Sequence, residues 1–310
     1  MDKVVIQNLK ANNQRDLSRL ITDIENNAEI NNVSLDKFFN KTNQSVRIGI
    51  TGPPGAGKSS ITNELIKYFI SIDQKVGVIA IDPTSPFSGG ALLGDRVRMN
   101  QYHNDQNVFI RSMSTLGHLG GLSRKAQDIG DILAIAQKDV IIFETVGVGQ
   151  GEYEVANVAD LTIIVLVPEA GDEVQLMKAG LIEIGDLFVV NKSDRKGSKQ
   201  LTDKLKSIIN INSGITRPIY NTVAKDGKGI EELFNGINEY LQKLENDGYL
   251  LQRKVDRYKL RVKNIIQDTL LSKFWTSDKR EKLEQATKSL ENLKISPMTA
   301  AKEIMDSIDL

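Results

Sequence analysis

From Ser45 to about Leu244 short apolar runs alternate with segments whose apolar residues recur every three or four positions. Val46 to Thr51, Val76 to Ile81, Val108 to Ile110, Val140 to Phe143, Leu161 to Val167, Leu187 to Val190 and Pro218 to Tyr220 read as strands. Their near-continuous hydrophobicity suits strands covered on both faces. Ser60 to Ile72 carries a helical pattern, with Ile61, Leu65, Ile66 and Phe69 on one side. Strands alternating with helices in this way predict an α/β fold, a mainly parallel sheet flanked by helices. Up to about Lys41 the periodicity is looser (Leu17, Leu20, Ile21, Ile24) and broken by Asn-rich turns; after Asp247-Gly248 it is helical and highly charged through Lys294, with Pro297 before a short final amphipathic segment. The expected division is a helical extension over 1–44, an α/β domain over 45–247 and a helical arm over 248–310. In the arm, Leu260, Ile265, Ile266, Leu270, Leu271, Phe274 and Trp275 form a stripe too apolar for water, to be covered either by the chain itself or by a second copy.

The first expected strand runs into Gly52-Pro53-Pro54-Gly55-Ala56-Gly57-Lys58-Ser59, and a helix follows. Strand, glycine loop and helix are the context of a phosphate-binding loop. Gly52, Gly55 and Gly57 permit backbone conformations that turn successive amides inward around phosphate oxygens. The helix N-terminus adds partial positive charge. Lys58 is placed to reach the β- and γ-phosphates and Ser59 to ligate magnesium. Gly52, Gly55, Ala56, Gly57, Lys58, Ser59 and Ser60 are therefore the candidate phosphate contacts. This fold class is that of a P-loop NTPase.

A second motif, Asn191-Lys192-Ser193-Asp194, follows Leu187-Phe188-Val189-Val190. A carboxylate at Asp194 can accept from N1–H and the exocyclic amine of guanine, a pair adenine does not offer. Leaving such a buried carboxylate unpaired rejects the wrong base on the order of thousands-fold. Asn191 is expected to brace the loop and Lys192 to cover the ring or ribose edge. Ala224, in Thr222-Val223-Ala224-Lys225, is a candidate N–H donor to guanine O6. The two motifs together select GTP and GDP.

Composition narrows this further. Forty basic residues balance forty acidic ones among 310, which gives no general attraction to nucleic acid or an anionic membrane. No apolar run is long enough to span a bilayer, and the polar N-terminus lacks the apolar centre of a signal peptide, so a cytoplasmic location is expected. With no cysteine, and His103 and His118 the two histidines, disulfides, thiolate metal sites and a histidine-rich metal store are excluded. His118, in a glycine-rich turn, has nothing to orient it as a base.

Between the nucleotide motifs lie residues that would sense the γ-phosphate. Asp82 leaves a strand end, and Asp95 follows Gly94 in a loop; each can be a turn former or a magnesium ligand, with the post-strand position favouring the second for Asp82. Glu144 ends the strand Val140 to Phe143 where phosphate-loop proteins usually carry an aspartate that orients magnesium's water, and Gly147 stands three residues on, where a backbone N–H meets the γ-phosphate. Lys58, Glu144 and Gly147 are thus the candidate catalytic residues, and Ser59, Asp82, Asp95 and Glu144 the candidate metal set. Val148 occupies a position where many signalling GTPases have a water-positioning glutamine, so slow unaided hydrolysis is expected, with Gln150, Arg96, Arg98 or a partner's residue completing the site.

The strings Ile81-Asp82-Pro83-Thr84-Ser85, Gly89 through Met99, Glu144-Thr145-Val146-Gly147-Val148-Gly149-Gln150, Pro168 through Glu173 and Asn191 through Asp194 resemble the methylmalonyl-CoA mutase-associated GTPases of the MeaB/ArgK family. The resemblance is close from about Val46 to Asp194. It implies a GTP-dependent, magnesium-using chaperone that gates adenosylcobalamin delivery to methylmalonyl-CoA mutase or a related acyl-CoA mutase and protects or reactivates it, dimerising through the C-terminal arm. It also implies an additional switch loop around Val167 to Lys178, where Pro168-Glu169 replaces the family's commoner proline-glycine. Ser112 to Gly121 also follows family wording and is either a partner-facing loop or a plain connection. Some relatives bear names as arginine or lysine transport ATPases, which the guanine motif argues against. Two other classes compete: a GTP-dependent phosphotransferase acting on a small molecule, for which no acceptor signature is present, and a nickel metallochaperone GTPase, which the lack of cysteine and scarcity of histidine oppose.

Overall fold

The strands expected from apolar runs assemble into one parallel sheet. The computed structural model describes residues 14–25, 39–82, 102, 105–114, 121–145, 151–168, 180–213, 217–288 and 295–305. Among them the strands are β1 (Val46–Thr51), β2 (Val76–Asp82), β3 (Val108–Ser114), β4 (Val140–Thr145), β5 (Leu161–Leu166), β6 (Leu187–Asn191) and β7 (Ile219–Thr222), in the order β3-β2-β4-β1-β5-β6-β7. All pairings are parallel, with β1 held between β4 and β5. The helices are α1 (Gln14–Glu25), α2 (Lys58–Ser71), α3 (Gly121–Ile135), α4 (Gly151–Glu154), α5 (Leu181–Ile184), α6 (Ser198–Ser213), α7 (Ile230–Asn246), α8 (Tyr249–Phe274), α9 (Ser277–Ala286) and α10 (Pro297–Met305).

Period-two alternation sends each strand's residues to two apolar layers. On β4, Ile142 joins a cluster with Ile61, Leu65 and Phe69 of α2 and Leu233, Phe234 and Ile237 of α7. Ile141 and Phe143 face the opposite cluster, with Ile129, Ile132 and Leu133 of α3. Leu17, Ile21 and Ile24 of α1 are buried in that same cluster. The loose N-terminal periodicity is therefore that of a helix whose apolar stripe is covered by the sheet's own flanking layer. A third cluster packs α5 and α6 against Ile164, Leu166, Phe188 and Val190.

Several strands run past their apolar residues. β3 continues through Arg111 to Ser114 because β2 pairs with it as far as Asp82 opposite Ser114, and Arg111 donates to Thr22 Oγ1 at 3.0 Å. β4 likewise continues through Glu144 and Thr145, paired with Ile50 and Ile81. Polar residues at these ends are held by ladder hydrogen bonds rather than by hydrophobic burial.

Several charged groups of the first unit are held by polar partners. Arg47 of β1 is 2 % exposed and forms an ion pair with Asp131 of α3. Arg253 donates to both carboxylate oxygens of Asp186, at 2.7 and 2.8 Å, and Tyr240 Oη adds a third bond at 3.1 Å. Lys138, in the turn from α3 to β4, is 1 % exposed and donates to the carbonyls of Gln106 and Asn107 at 3.1 and 3.2 Å. Burial, reinforced by neighbouring Lys75 and opposed by Asp105 and Asp139, lowers its pKa to about 8. A lysine with a depressed folded-state pKa binds fewer protons folded than unfolded between pH 8 and its ordinary value. Stability therefore rises with pH across that window. From a shift of this size the gain between pH 7 and pH 9.5 is about 2 kcal/mol. Urea unfolding at both pH values should show this increment in the parent protein and its loss in Lys138→Met; an equal pH response in both would contradict the assignment.

The chain divides into two compact units, Met1–Lys254 and Val255–Leu310, with the first turns of α8 in the first. In the second unit α8, α9 and α10 bury no residue. Ile266, Leu270 and Leu271 are each more than half exposed. Phe274 and Trp275 meet edge to face at 5.1 Å, with the Lys279 ammonium over the Phe274 ring at 4.3 Å. Among the described residues no helix is long and apolar enough to cross a membrane.

Candidate functional site

The parallel sheet brings the C-terminal ends of β1, β4 and β6 to one edge, the place where open α/β sheets bind ligands. From β1 the chain enters the glycine loop, in which Gly52, Gly55 and Gly57 all have positive φ, +140°, +75° and +89°. Gly57 is also required by space. A Cβ there would stand 2.3 Å from Asn191 Nδ2. The left-handed Gly57 caps α2, so the backbone amides of Lys58 and Ser59 stand in the first turn of the helix, the place where anion sites form. Lys58 is 5 % exposed, and its Nζ donates to Gly52 O at 2.7 Å and Pro53 O at 2.9 Å. The ammonium is thereby folded over its own loop, in front of the helix N-terminus.

Ser59 and Glu144 are brought together from separate elements. The Ser59 hydroxyl donates to Glu144 Oε1 at 2.5 Å, and Glu144 is 2 % exposed. Beside them Thr145 Oγ1 donates to Thr51 Oγ1 at 2.9 Å, fastening the end of β4 to the end of β1. A hydroxyl and a buried carboxylate are hard oxygen donors that fit magnesium, which takes few protein ligands and completes its octahedron with water and phosphate. Asp82 closes β2, one position beyond Ile81, which pairs with Thr145. Its backbone is thus at the same sheet edge. Asp95, Gly147, Val148, Gln150, Arg96, Arg98, His118 and the part of the switch loop from 169 to 178 lie outside the described residues.

Asn191 joins the two nucleotide motifs. It is 3 % exposed; Nδ2 donates to Ala56 O at 2.9 Å, while Oδ1 accepts from Thr222 Oγ1 and from Ala224 N–H, both at 3.1 Å. These bonds tie the turn after β6 to two other segments, the phosphate loop and the end of β7. They also change the reading of Ala224, whose N–H is directed at Asn191 Oδ1; guanine O6 would have to share or displace that bond. A second difference concerns Asp194. Sequence reasoning treated its carboxylate as buried, whereas the turn after β6, with Lys192 at φ +55°, leaves Asp194 exposed. Desolvation of this carboxylate would have to come from a base bound against it.

Glu152 of α4 is a residue that sequence reasoning passed over. Burial pushes its carboxyl above the ordinary range, and the Lys58 ammonium pulls it back. Its nearness to Lys58 has no linear signal, since 94 positions of chain separate them.

A glycine loop closing a central parallel strand, a serine and carboxylate at its mouth, and an Asn-Lys-Ser-Asp turn tied to that loop define a P-loop GTPase. The family model described as methylmalonyl-CoA mutase-associated GTPase MeaB matches residues 17–279. The chain belongs to this family and is a GTP hydrolase. It is 41 % identical over 310 residues to a candidate GTPase of Pyrococcus abyssi, covering 98 % of this chain and 96 % of that one. It is 34 % identical over 264 residues to the mouse mitochondrial protein named methylmalonic aciduria type A homolog, covering 82 % and 63 %, and 33 % identical over 282 residues to the GTPase ArgK of Escherichia coli, covering 88 % and 85 %. A crystal structure of an LAO/AO transport system kinase superposes with a TM-score of 0.71 at 24 % identity, over 97 % of this chain and 95 % of that one, which shows the fold.

Proposed function

We propose that this GTPase serves an adenosylcobalamin-dependent acyl-CoA mutase, methylmalonyl-CoA mutase or a close relative, as a chaperone that gates cofactor delivery and protects or reactivates the enzyme. The observation that carries the reading is the family match over most of the chain, in a family described by its association with methylmalonyl-CoA mutase. The site geometry agrees with a nucleotide-driven switch. Glu144 and Ser59 would hold magnesium, with Asp82 and Asp95 completing its surroundings, and bound magnesium would neutralise charge on the β- and γ-phosphates. Lys58 would leave the Gly52 and Pro53 carbonyls for those phosphates. Gly147 would sense the γ-phosphate, and Asn191, Lys192, Asp194 and Ala224 would hold guanine. The γ-phosphate would thereby order loops that hydrolysis releases. Basal turnover is slow in this reading, with Val148 where a water-positioning glutamine could stand, and the mutase raises it.

The exposed apolar residues of α8, Ile266, Leu270 and Leu271 among them, support a homodimer in which residues 248–310 of two copies cover one another. The absence of a membrane-spanning helix among the described residues and the balanced charge support a cytoplasmic place. The test is size-exclusion chromatography of the protein with purified methylmalonyl-CoA mutase in GDP, in a non-hydrolysable GTP analogue and in the matching ATP analogue. Co-elution that depends on the guanine nucleotide bears the proposal out; independent elution in all three contradicts it.

A further inference from the structure

The end of the sheet opposite the nucleotide motifs holds a cavity of about 300 Å³, at the lower end of the volumes that take small ligands. Its wall is made just ahead of three strands. Lys41 and Gln44 stand before β1, Lys75 directly before β2, and Gln137, Lys138 and Asp139 between α3 and β4. The six residues of β1, about 20 Å of extended chain, separate this cavity from the glycine loop. The two places are distinct.

Ala134 is the one apolar residue among the described residues of the lining, and three lysines share that lining with a single aspartate. Positive charge is in surplus. The Asp139 carboxylate is already engaged, accepting from the Lys75 backbone N–H at 2.8 Å. Among the described residues the half-buried Lys41 and Lys75 ammoniums form no ion pair and no hydrogen bond. Lys138 gives two of its three N–H donors to the carbonyls of Gln106 and Asn107. Cations gathered in a partly buried recess repel one another until an anion comes between them; Lys75 adds to burial in lowering the pKa of Lys138. The turn after α3 supplies a second observation. Gln137 N–H bonds to Ala134 O and Lys138 N–H to Leu133 O, both at 3.0 Å, the left-handed helix closure that usually falls to glycine. Gln137 has φ +61° there. A side chain with amide donors is thus kept on the cavity wall at a position where glycine would relieve the backbone.

We propose that this recess is an anion site separate from the nucleotide site, holding phosphate or the phosphoryl end of a phosphomonoester through Lys41, Lys75 and Lys138, with Gln44 and Gln137 as amide donors. Lysines bind phosphate as point charges and need no fixed fork, which suits a wall assembled from three segments. Asp139 opposes a bare anion and can accept from a hydroxyl carried by an ester.

Isothermal titration of the GDP-saturated full chain with inorganic phosphate, and separately with glycerol 3-phosphate, tests this at matched ionic strength. Saturable binding is expected, and the double variant Lys41→Gln, Lys75→Gln should weaken it about tenfold or more. Neither lysine side chain makes a polar contact among the described residues, so that variant should keep its fold. Gln137→Gly should melt no lower than the parent and yet bind severalfold more weakly. Phosphate held beside GDP at the nucleotide site would be indifferent to all three substitutions. Tighter binding of the ester assigns the site to phosphomonoesters and tighter binding of phosphate to the free ion, and either result supports the proposal. No saturable binding of either probe, or affinity undiminished in either variant, would overturn it.

Discussion

Lys58→Ala should lose nucleotide affinity by about a hundredfold or more, the usual consequence of truncating one partner of a desolvated, hydrogen-bonded charge pair. The loss should be larger for GTP than for GDP, because in the proposed role the lysine would also reach the γ-phosphate. The geometry makes the side chain well suited to such a role: it is 5 % exposed, stands in the first turn of α2, and its ammonium lies on the loop carbonyls of Gly52 and Pro53. The same bonds mean that the substitution also relaxes the loop itself. Titration with fluorescent GDP and GTP, alongside far-UV circular dichroism to show the fold intact, measures the effect. Affinities within threefold of the parent would remove Lys58 from phosphate binding.

The second large effect is a change of base. Asp194→Asn should lower GTP affinity by about two orders of magnitude and raise that for xanthosine triphosphate, in keeping with the strong rejection shown by sites built around a specific hydrogen-bonding pair. The asparagine amide can donate to the 2-oxo group of xanthine, and its carbonyl can accept from N1–H. In this structure Asp194 is exposed, while Asn191 beside it is buried and makes three bonds to two other segments. The two residues should therefore respond differently. A change at Asp194 alters which base is chosen, with the scaffold of Ala56, Thr222 and Ala224 left standing. Competition between GTP and xanthosine triphosphate for a fluorescent nucleotide checks this, and an unaltered preference would take Asp194 out of base recognition.

Legibility in the sequence followed the range of each interaction. Strands buried on both faces announce themselves because their neighbours are apolar on either side, and so β1, β5 and β6 were readable almost to their ends. The end of β3 was not, because Arg111 to Ser114 are held by the ladder to β2 and by Thr22 of α1, partners that no local pattern reveals. The two nucleotide motifs were legible as short strings whose chemistry is local. Their connection through Asn191 Nδ2 to Ala56 O was not, since it depends on β1 and β6 ending at one edge of the sheet. Glu144 was readable at a strand end, but its bond to Ser59 required β4 to lie next to β1. Glu152 and Lys138 were missed for a related reason: charged residues in a polar stretch look solvated until the fold sets them against a lysine or beneath a covering turn.

Burial thus divides the first unit's charged residues into two kinds. Arg47 with Asp131 joins β1 to α3, and Arg253 with Asp186 joins α8 to the turn before β6; breaking such buried pairs typically costs about 3 to 5 kcal/mol, and the partly exposed Arg253 belongs toward or below the lower end of that range. Lys58 and Glu144 lie instead at the C-terminal edge of the sheet, where phosphate and magnesium chemistry would use them. The guanine motif and the phosphate loop are mechanically one object through Asn191, so a base bound at one end and phosphates at the other bear on the same framework.

The most direct test of the whole account is GTP hydrolysis by the purified protein in magnesium, with and without a cobalamin-dependent acyl-CoA mutase from the same source, and with ATP in parallel. The account predicts slow turnover of GTP alone, a rise when the mutase is added, and no comparable response with ATP. Fast hydrolysis by the isolated protein, or intact GTP binding with turnover indifferent to the mutase, would contradict it.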